Sequence, residues 1–277
     1  MGLMYLLADL APSLAVSLRV ASVDHGLRTE SAEEVRLVGV AAAELGLPFT
    51  PLKLELSGGA NLQARGREAR YEALHAEAKL RDAKVALGHT LDDQAETVMG
   101  RILRGAGLRG LSGVQPKRSD GVVRPLIDVR RQAIRTYLTS QGVLWVDDPS
   151  NEQERFERVR IRRALATFEE EDPQLGLHLA ELADDARDAH QALEEMASGL
   201  GPELTTLADV PSAVRRVAIR RLAEEQLSRG IRRRHLEELE RCVLAGKGEV
   251  LLGGGWRALP LHGVLCFEKG DWEGRSG

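Results

Sequence analysis

The amino-acid sequence predicts an α/β fold: a parallel sheet with helices on both faces, followed by a second, mostly α domain that contains a small β element. Three observations support this prediction. Short segments rich in β-branched residues alternate with helical segments in the first part of the chain. Polar motifs directly follow two of the predicted strands, where α/β sheets bind ligands. After about residue 165 the pattern becomes mainly helical. We therefore expect two domains, residues 1–165 and 166–277, within the 277-residue chain.

The elements of the first domain follow from local patterns along the chain. Residues 1–8 carry leucines at helical spacing and predict a helix with no capping residue before it. Gly46 is typical of the residue that follows a helix end. Each later helix begins at a typical N-cap residue: Ser31, Asn61, Thr90 and Asp128. We expect strands at 17–23, 49–56, 84–87 and 122–126, and helices at 31–45, 61–81, 90–103 and 128–142.

The second domain has a different pattern. Residues 170–200 are acidic, with alanine and leucine at helical spacing, and residues 211–245 predict a further helical stretch. The glycines at 253–255 predict a turn between two short strands, at about 249–252 and 264–267. This combination predicts a mostly α domain with a small β element.

The composition excludes several classes of protein. Hydrophobic residues make up 43% and charged residues 29% of the chain, which is typical of globular proteins and disfavours a wholly disordered one. The longest apolar runs, such as 38–43, are far shorter than the roughly 20 residues that span a bilayer, and the N-terminus lacks the basic region of a signal peptide. Two distant cysteines, Cys242 and Cys266, predict neither a disulfide framework nor a metal cluster. We therefore expect a protein of the reducing cytosol.

The basic residues are mostly arginines. Only six of the 38 basic residues are lysines, and the other 32 are arginines, although the net charge is −4. A high genomic GC content is one explanation. Contacts with nucleic-acid phosphates are the other, because the guanidinium group binds phosphate in a bidentate manner and stacks on bases. The arginines cluster at 158–163, 215–221 and 232–234.

The segment from His89 to Thr97 carries the densest set of reactive side chains. Asp92 and Glu96 are four residues apart, so they share one face of a helix, and Asp93 is three residues before Glu96. Helix capping by Thr90 with Asp93 and the helix dipole account for one of these carboxylates. Three carboxylates with a histidine at the end of a strand indicate more, because carboxylates can hold Mg²⁺ or an ammonium group and histidine can act as an acid or base.

Two further segments are candidates for ligand binding. The glycine-rich segment from Arg104 to Gly113 includes Arg109, and such loops can bind phosphate, although helix termination at Gly105 explains part of the pattern. Asp24 and His25 end a predicted strand, where His25 is either functional or an ordinary core histidine. The segments Ser57-Gly58-Gly59 and Trp145–Asn151 have the chemistry of turns.

Five segments, taken together, resemble a known family. They are VDHGLR (23–28), NLQARGREARYEAL (61–74), ALGHTLDDQAETVMGRILRGAGLRGLSG (86–113), RPL (124–126) and WVDDPSN (145–151). In this order and spacing they resemble the tRNA(Ile)-lysidine synthases, a family of the N-type ATP pyrophosphatase group. The resemblance is strong over residues 1–165 and weaker over 205–270. It implies a HUP-like (adenine nucleotide alpha hydrolase-like) fold for the first domain and a helical tRNA-binding second domain.

The resemblance implies a reaction and its participants. ATP adenylates C2 of the wobble cytidine of tRNA(Ile) with a CAU anticodon and releases pyrophosphate. The amino group of free L-lysine then displaces AMP, which gives lysidine and changes decoding from AUG to AUA. The cofactors implied are ATP and Mg²⁺. The family also implies a cytoplasmic location without membrane association, and it leaves a homodimer open.

The resemblance also implies roles for individual residues. The catalytic residues would be His89, Asp92, Asp93 and Arg104, with Asp93 also binding the metal. The substrate-binding residues would be Asp24, His25, Arg28, Glu96, Arg109 and Arg124. The tRNA-binding residues would be Arg158, Arg160, Arg162, Arg163, Arg232 and Arg233.

The sequence departs from the family at two places. Family members begin with a buried strand and a Ser-Gly-Gly-x-Asp-Ser loop that surrounds the ATP phosphates, whereas residues 1–7 read as the helix that follows that loop. We expect that the natural start lies earlier; the competing interpretation is a true truncation, a non-catalytic tRNA-binding remnant. Val159 replaces an asparagine of the family motif. A related tRNA thiolase is disfavoured, because it would need a cysteine pair near the nucleotide and both cysteines lie in the second domain.

Overall fold

The computed structural model describes residues 1–24, 26, 30–54, 62–143 and 157–270, and the structural statements below concern these residues. The chain forms two compact units, Met1–Asp184 and Asp185–Gly277. This division lies within a long helix, later in the chain than residue 165, so the limit of the first domain at that residue stays a prediction.

The first unit alternates helices with short strands, as the sequence predicts. Its elements are α1 (Gly2–Leu14), β1 (Val20–Asp24), α2 (Glu30–Glu44), β2 (Phe49–Lys53), α3 (Leu62–Lys79), β3 (Val85–Ala86), α4 (Leu91–Leu103), α5 (Leu108–Leu111), β4 (Val122–Val123), α6 (Arg131–Ser140), α7 (Glu157–Glu171) and the start of α8 (Leu175–Ala197). Gly46, with φ of 66°, follows α2 in the left-handed region that favours glycine.

The strands of the first unit pair in parallel, which confirms the predicted α/β class. β1 pairs with β2 over its whole length, and β3 pairs with β4 over two residues. In the described part of the chain these are two separate two-stranded ladders. The turn after β3 carries His89 and leads into α4. The predicted arrangement of a polar motif at the carboxyl end of a parallel strand is therefore present.

Apolar contacts hold α7 against α4. Ala95 and Val98 of α4 belong to a buried cluster with Ile161 and Leu165 of α7. The helices approach closely at Gly100, where an added Cβ atom would lie 2.9 Å from Cδ1 of Ile161. Because α7 carries the first arginine cluster, this packing places that cluster beside the start of α4.

Some predicted element limits are wrong. α6 begins after Arg130 rather than at Asp128, and Ser31 lies inside α2. The helical stretch predicted over 170–200 includes a break around Pro173, whose ring cannot continue a helix. The stretch 211–245 is two helices, separated after Ser228 in a left-handed conformation, with φ of 53°.

The second unit combines helices with a three-stranded antiparallel sheet. Its elements after α8 are α9 (Leu204–Asp209), α10 (Ser212–Leu227), α11 (Arg233–Ala245), β5 (Val250–Gly253), β6 (Trp256–Leu261) and β7 (Val264–Lys269). The order β5-β6-β7 confirms the predicted small β element but adds a middle strand. Leu207, Ile219 and Leu239 are fully buried in the core of this unit. No helix in the described ranges is long and apolar enough to cross a membrane.

A candidate active site at the start of helix α4

The start of α4 is a reciprocal capping box formed by Thr90 and Asp93. The Thr90 hydroxyl oxygen accepts a hydrogen bond from the Asp93 backbone N–H at 3.3 Å. In return, Oδ2 of Asp93 accepts the Thr90 backbone N–H at 2.8 Å and the Thr90 hydroxyl at 2.9 Å. The predicted cap is confirmed, and it occupies one of the two oxygens of Asp93.

Replacing Thr90 with alanine is expected to lower the free energy of unfolding by about 1 kcal/mol, because the first turn of α4 loses its side-chain acceptor. Urea unfolding of the purified protein measures this change. Thr90→Ser keeps the hydroxyl and should stay close to the wild-type protein. Equal stability of the alanine and wild-type proteins would show that the cap contributes nothing.

Glu96 is the most enclosed carboxylate of the site. The residue is 4% exposed. It accepts hydrogen bonds from Nε of Arg158 at 2.6 Å, from Nε of Arg162 at 2.7 Å and from Arg131 at 3.4 Å. Charge-assisted bonds of this kind balance the cost of burying a carboxylate. Two arginines that the sequence analysis assigns to tRNA therefore contact a carboxylate of the same unit.

Asp93 shares two of these arginines. Its Oδ1 accepts from Arg158 at 2.6 Å and from Arg131 at 3.0 Å. Burial raises the pKa of Asp93, but the Thr90 N–H and the charges of Arg158 and Arg131 lower it more strongly, so the net pKa lies below the usual value. The carboxylate is consequently ionised at neutral pH.

Asp92 is held by the start of α6. Its Oδ2 accepts the backbone N–H of Arg131 at 2.6 Å, and its Oδ1 accepts from Arg130 at 3.5 Å. Arg130 also donates to Glu169 at 2.7 Å. We call the following seven residues the carboxylate–arginine cluster: Asp92, Asp93, Glu96, Arg130, Arg131, Arg158 and Arg162.

His89 lies in the turn before α4 and contacts Arg124. Nδ1 of His89 accepts a hydrogen bond from Nε of Arg124 at 3.3 Å. Burial, and then the charge of Arg124, lower the pKa of His89, while Asp93 opposes them. The ring is therefore neutral at pH 7, and because Nδ1 accepts, it carries its proton on Nε2.

The glycine-rich segment after α4 is anchored by residues that the sequence analysis missed. Arg101 donates to the carbonyl oxygens of Gly110 and Gly113, the latter at 2.8 Å. The buried Gln94 side chain accepts the Val114 N–H at 2.6 Å and donates to the Val114 carbonyl at 3.3 Å. Gln94 belongs to the motif that the sequence analysis singled out, but its partner lies 20 residues away and leaves no local pattern.

The two predicted site arginines of the glycine-rich segment, Arg104 and Arg109, lie on exposed surface. Arg104 pairs with Glu157 at 2.5 Å, and Arg109 is exposed on α5. Two arginines that were not predicted, Arg130 and Arg131, instead contact the carboxylates at the start of α4. Arg130 and Arg131 lie shortly after Asp128, and no pattern in the sequence identifies them as site residues.

The remaining predicted residues are dispersed. Asp24 ends β1, and its Oδ1 accepts the Gly26 N–H at 2.9 Å. Arg160 and Arg163 are exposed on α7, and Arg232 and Arg233 are exposed at the start of α11 in the second unit. The following predicted residues and segments lie outside the described residues: His25, Arg28, Ser57–Gly59 and Trp145–Asn151.

The carboxylates do not fit a magnesium ion in this arrangement. Both oxygens of Asp93 accept hydrogen bonds, and Asp92 and Glu96 face the guanidinium groups of Arg130 and Arg162. In the described ranges, no group of three histidine, cysteine, aspartate or glutamate side chains could hold a metal ion. Mg²⁺ needs oxygen ligands that are free to coordinate it, and these oxygens are already occupied by hydrogen bonds.

Comparisons with known proteins identify the family of this chain. The family model of the PP-loop domain matches residues 1–169. A tRNA(Ile)-lysidine synthase of Ruegeria pomeroyi is 46% identical over 201 residues, which cover 70% of this chain and 47% of that protein. That of Rhodococcus erythropolis is 35% identical over 246 residues, which cover 84% of this chain and 75% of that protein.

Among solved structures, the chain is similar to a U34-tRNA thiolase, NcsA from Methanococcus maripaludis. It has a TM-score of 0.56 at 16% identity and covers 66% of this chain and 67% of its own. This similarity supports the fold alone. The chain spans about half the length of several curated relatives, such as 49% of the Thermus thermophilus protein, to which it is 35% identical. The matches over residues 1–169 and over most of the Rhodococcus protein nevertheless show that the chain belongs to the tRNA(Ile)-lysidine synthase family of PP-loop proteins.

Proposed function

We propose that this protein ligates free L-lysine to C2 of the wobble cytidine of tRNA(Ile) with a CAU anticodon. ATP would first adenylate the cytidine and release pyrophosphate, and the amino group of lysine would then displace AMP. The relatives, named tRNA(Ile)-lysidine synthases, support lysidine formation on tRNA(Ile). The observation that carries the proposal is the pair of neighbouring carboxylates, Asp93 and Glu96, near His89 at the start of α4.

The carboxylates suit a cationic amino acid. Asp93 and Glu96 are enclosed by guanidinium groups, so their surroundings already accommodate positive charge. Arg158 contacts both carboxylates, and its side chain is 52% exposed. It is therefore the group that an incoming ammonium group could displace with the least loss of packing.

His89 suits a substrate oxygen. Because Nδ1 accepts from Arg124, the Nε2 proton is available to donate to an oxygen of the nucleotide. Its lowered pKa keeps the ring uncharged, so it adds no repulsion toward a cationic amine. In this assignment His89 orients the nucleotide and the carboxylates orient the lysine.

The test is incorporation of labelled lysine into RNA. The full chain is mixed with ATP, radiolabelled L-lysine and a tRNA(Ile) transcript with a CAU anticodon. We expect acid-precipitable label that needs ATP. The same transcript with a GAU anticodon should remain unlabelled, because it has no wobble cytidine. Absence of label with the CAU transcript would contradict the proposal.

A non-catalytic tRNA-binding protein is the second candidate. The observation in its favour is that guanidinium groups satisfy the carboxylates, so no oxygen of Asp93 lacks a partner. It predicts binding of the tRNA with a strong dependence on salt and no consumption of ATP. Release of pyrophosphate in the presence of the CAU transcript would exclude it.

A further inference from the structure

An aromatic side chain contacted by several arginines is linked to His89 through Arg124. Tyr71 is half-buried on α3. The guanidinium carbon of Arg67 lies 5.5 Å from the centroid of its ring, and that of Arg118, from the segment before β4, lies 5.3 Å away. Both distances are within the range of a cation–π interaction. Both arginines are exposed.

The same tyrosine is linked to the candidate active site. Nη2 of Arg124 donates to the Tyr71 hydroxyl at 3.5 Å, and Nε of Arg124 donates to His89. Arg124 is 4% exposed and also donates to the carbonyl of Gln115, so its position is fixed. The Tyr71 ring and the His89 ring are therefore held at two ends of one buried guanidinium group. We call Arg67, Tyr71, Arg118 and Arg124 the Tyr71 cluster.

Stabilisation of the fold does not by itself explain why several positive charges surround Tyr71. Three guanidinium groups meet at one tyrosine, and a nearby carboxylate, Asp120, pairs with Arg118 at 2.5 Å and with His75 at 3.3 Å. Like charges around one ring repel each other. An anionic ligand would relieve that repulsion, and an exposed guanidinium plane on a ring offers a stacking surface.

We propose that the Tyr71 cluster binds an unpaired nucleotide of the RNA substrate, with its phosphate at Arg67 and Arg118 and its base stacked on the exposed guanidinium and ring surface. This inference rests on the proposed function, which supplies an RNA with an unpaired anticodon loop. The link through Arg124 places the cluster beside His89, so the nucleotide is a neighbour of the modified cytidine.

The experiment measures binding of a fluorescent anticodon stem-loop with a CAU anticodon to the full chain. Anisotropy titrations are made over a series of salt concentrations. Tyr71→Leu is expected to weaken binding about 10-fold, since stacking of one base is lost. Arg118→Gln should weaken binding about 5-fold and lower the slope of log affinity against log salt by about 0.7, the loss of one phosphate contact with a single strand.

Matched variants separate stacking and charge from damage to the fold. Tyr71→Phe keeps the ring and should bind within about 2-fold of the wild-type protein. Arg36→Gln removes an exposed arginine that pairs with a nearby carboxylate, Glu33, as Arg118 pairs with Asp120, and it should leave both affinity and salt slope unchanged. Urea unfolding confirms that each variant is folded.

A second RNA makes the test independent of folding. A stem-loop that lacks the base next to the wobble cytidine should bind the wild-type protein about 10-fold more weakly. The Tyr71→Leu protein should bind the intact stem-loop and the stem-loop that lacks this base with almost the same affinity. If Tyr71→Leu and Arg118→Gln bind the intact stem-loop as the wild-type protein does, the inference is wrong while the proposed function stands. If the wild-type protein does not bind the stem-loop, both are overturned.

Discussion

Replacing Asp93 with asparagine is expected to reduce lysine transfer to tRNA at least about 100-fold while the protein still folds. The amide oxygen of asparagine can keep the hydrogen bond from the Thr90 N–H. The amide nitrogen would face Arg131 and Arg158 in place of the oxygen that now accepts from them. The site thus keeps its helix cap but loses the negative charge that we assign to lysine binding.

The same variant has a defined dependence on pH. The pKa of Asp93 is lowered in the folded protein, so its ionised form adds stability that is fully present above the unfolded-chain pKa, near 3.8. That stability is lost as the pH falls through the folded pKa. We expect Asp93→Asn to lower the free energy of unfolding by about 2 kcal/mol at pH 7. The difference between the two proteins should shrink below about pH 4.

The control for this prediction is Glu33→Gln. Glu33 forms an exposed ion pair with Arg36, so its replacement should change stability by less than about 0.5 kcal/mol and leave lysine transfer intact. tRNA binding by Asp93→Asn should stay within about 2-fold of the wild-type value, because no phosphate contact is removed. Full lysine transfer by Asp93→Asn would show that its carboxylate has no part in the reaction.

Local chemistry made the centre of the site predictable. A helix cap involves residues within one turn, so Thr90 and Asp93 could be paired from sequence alone, and the confirmed capping box shows the result. The spacing of Asp92 and Glu96 follows from helix geometry in the same way. The parallel pairing of β1 with β2 was likewise indicated by the alternation of strands and helices.

Long-range pairing could not be predicted. Arg158 and Arg162 contact carboxylates more than 60 residues away. Nothing in the sequence distinguishes an arginine that pairs with such a distant carboxylate from an arginine that binds RNA. β6 was missed for a related reason: Pro260 lies within it, and proline disfavours a central strand unless tertiary packing overrides the preference. The break after α10 depends on a left-handed Ser228, a conformation that serine rarely adopts.

The second large expected effect is a loss of stability when Arg215, in the second arginine cluster, is replaced. Arg215 is buried in the second unit, and its guanidinium group donates to the carbonyl oxygens of Leu207, Ala208 and Val210. It also pairs with the buried Glu240 at 3.1 Å. Burial raises the pKa of Glu240, but hydrogen bonds from Ser212 and Arg216 and the charges of the neighbouring arginines lower it by more. The net pKa therefore lies below the usual value, and the carboxylate is ionised at neutral pH.

Arg215→Met is therefore expected to lower the free energy of unfolding by about 3–4 kcal/mol, because it leaves a buried carboxylate and three carbonyl oxygens without this donor. Arg215→Lys should recover only part of the loss, since one ammonium group cannot reach all of these acceptors. Urea unfolding measures both changes.

The matched control is Arg233→Gln, which removes an exposed arginine paired with Glu237 four residues later. It should change stability by less than about 0.5 kcal/mol. If Arg215→Met instead unfolds like the wild-type protein but binds tRNA more weakly, the arginines of α10 serve the RNA rather than the fold. The expected result is the reverse, because four of the five N–H donors of the buried Arg215 guanidinium group already meet internal acceptors.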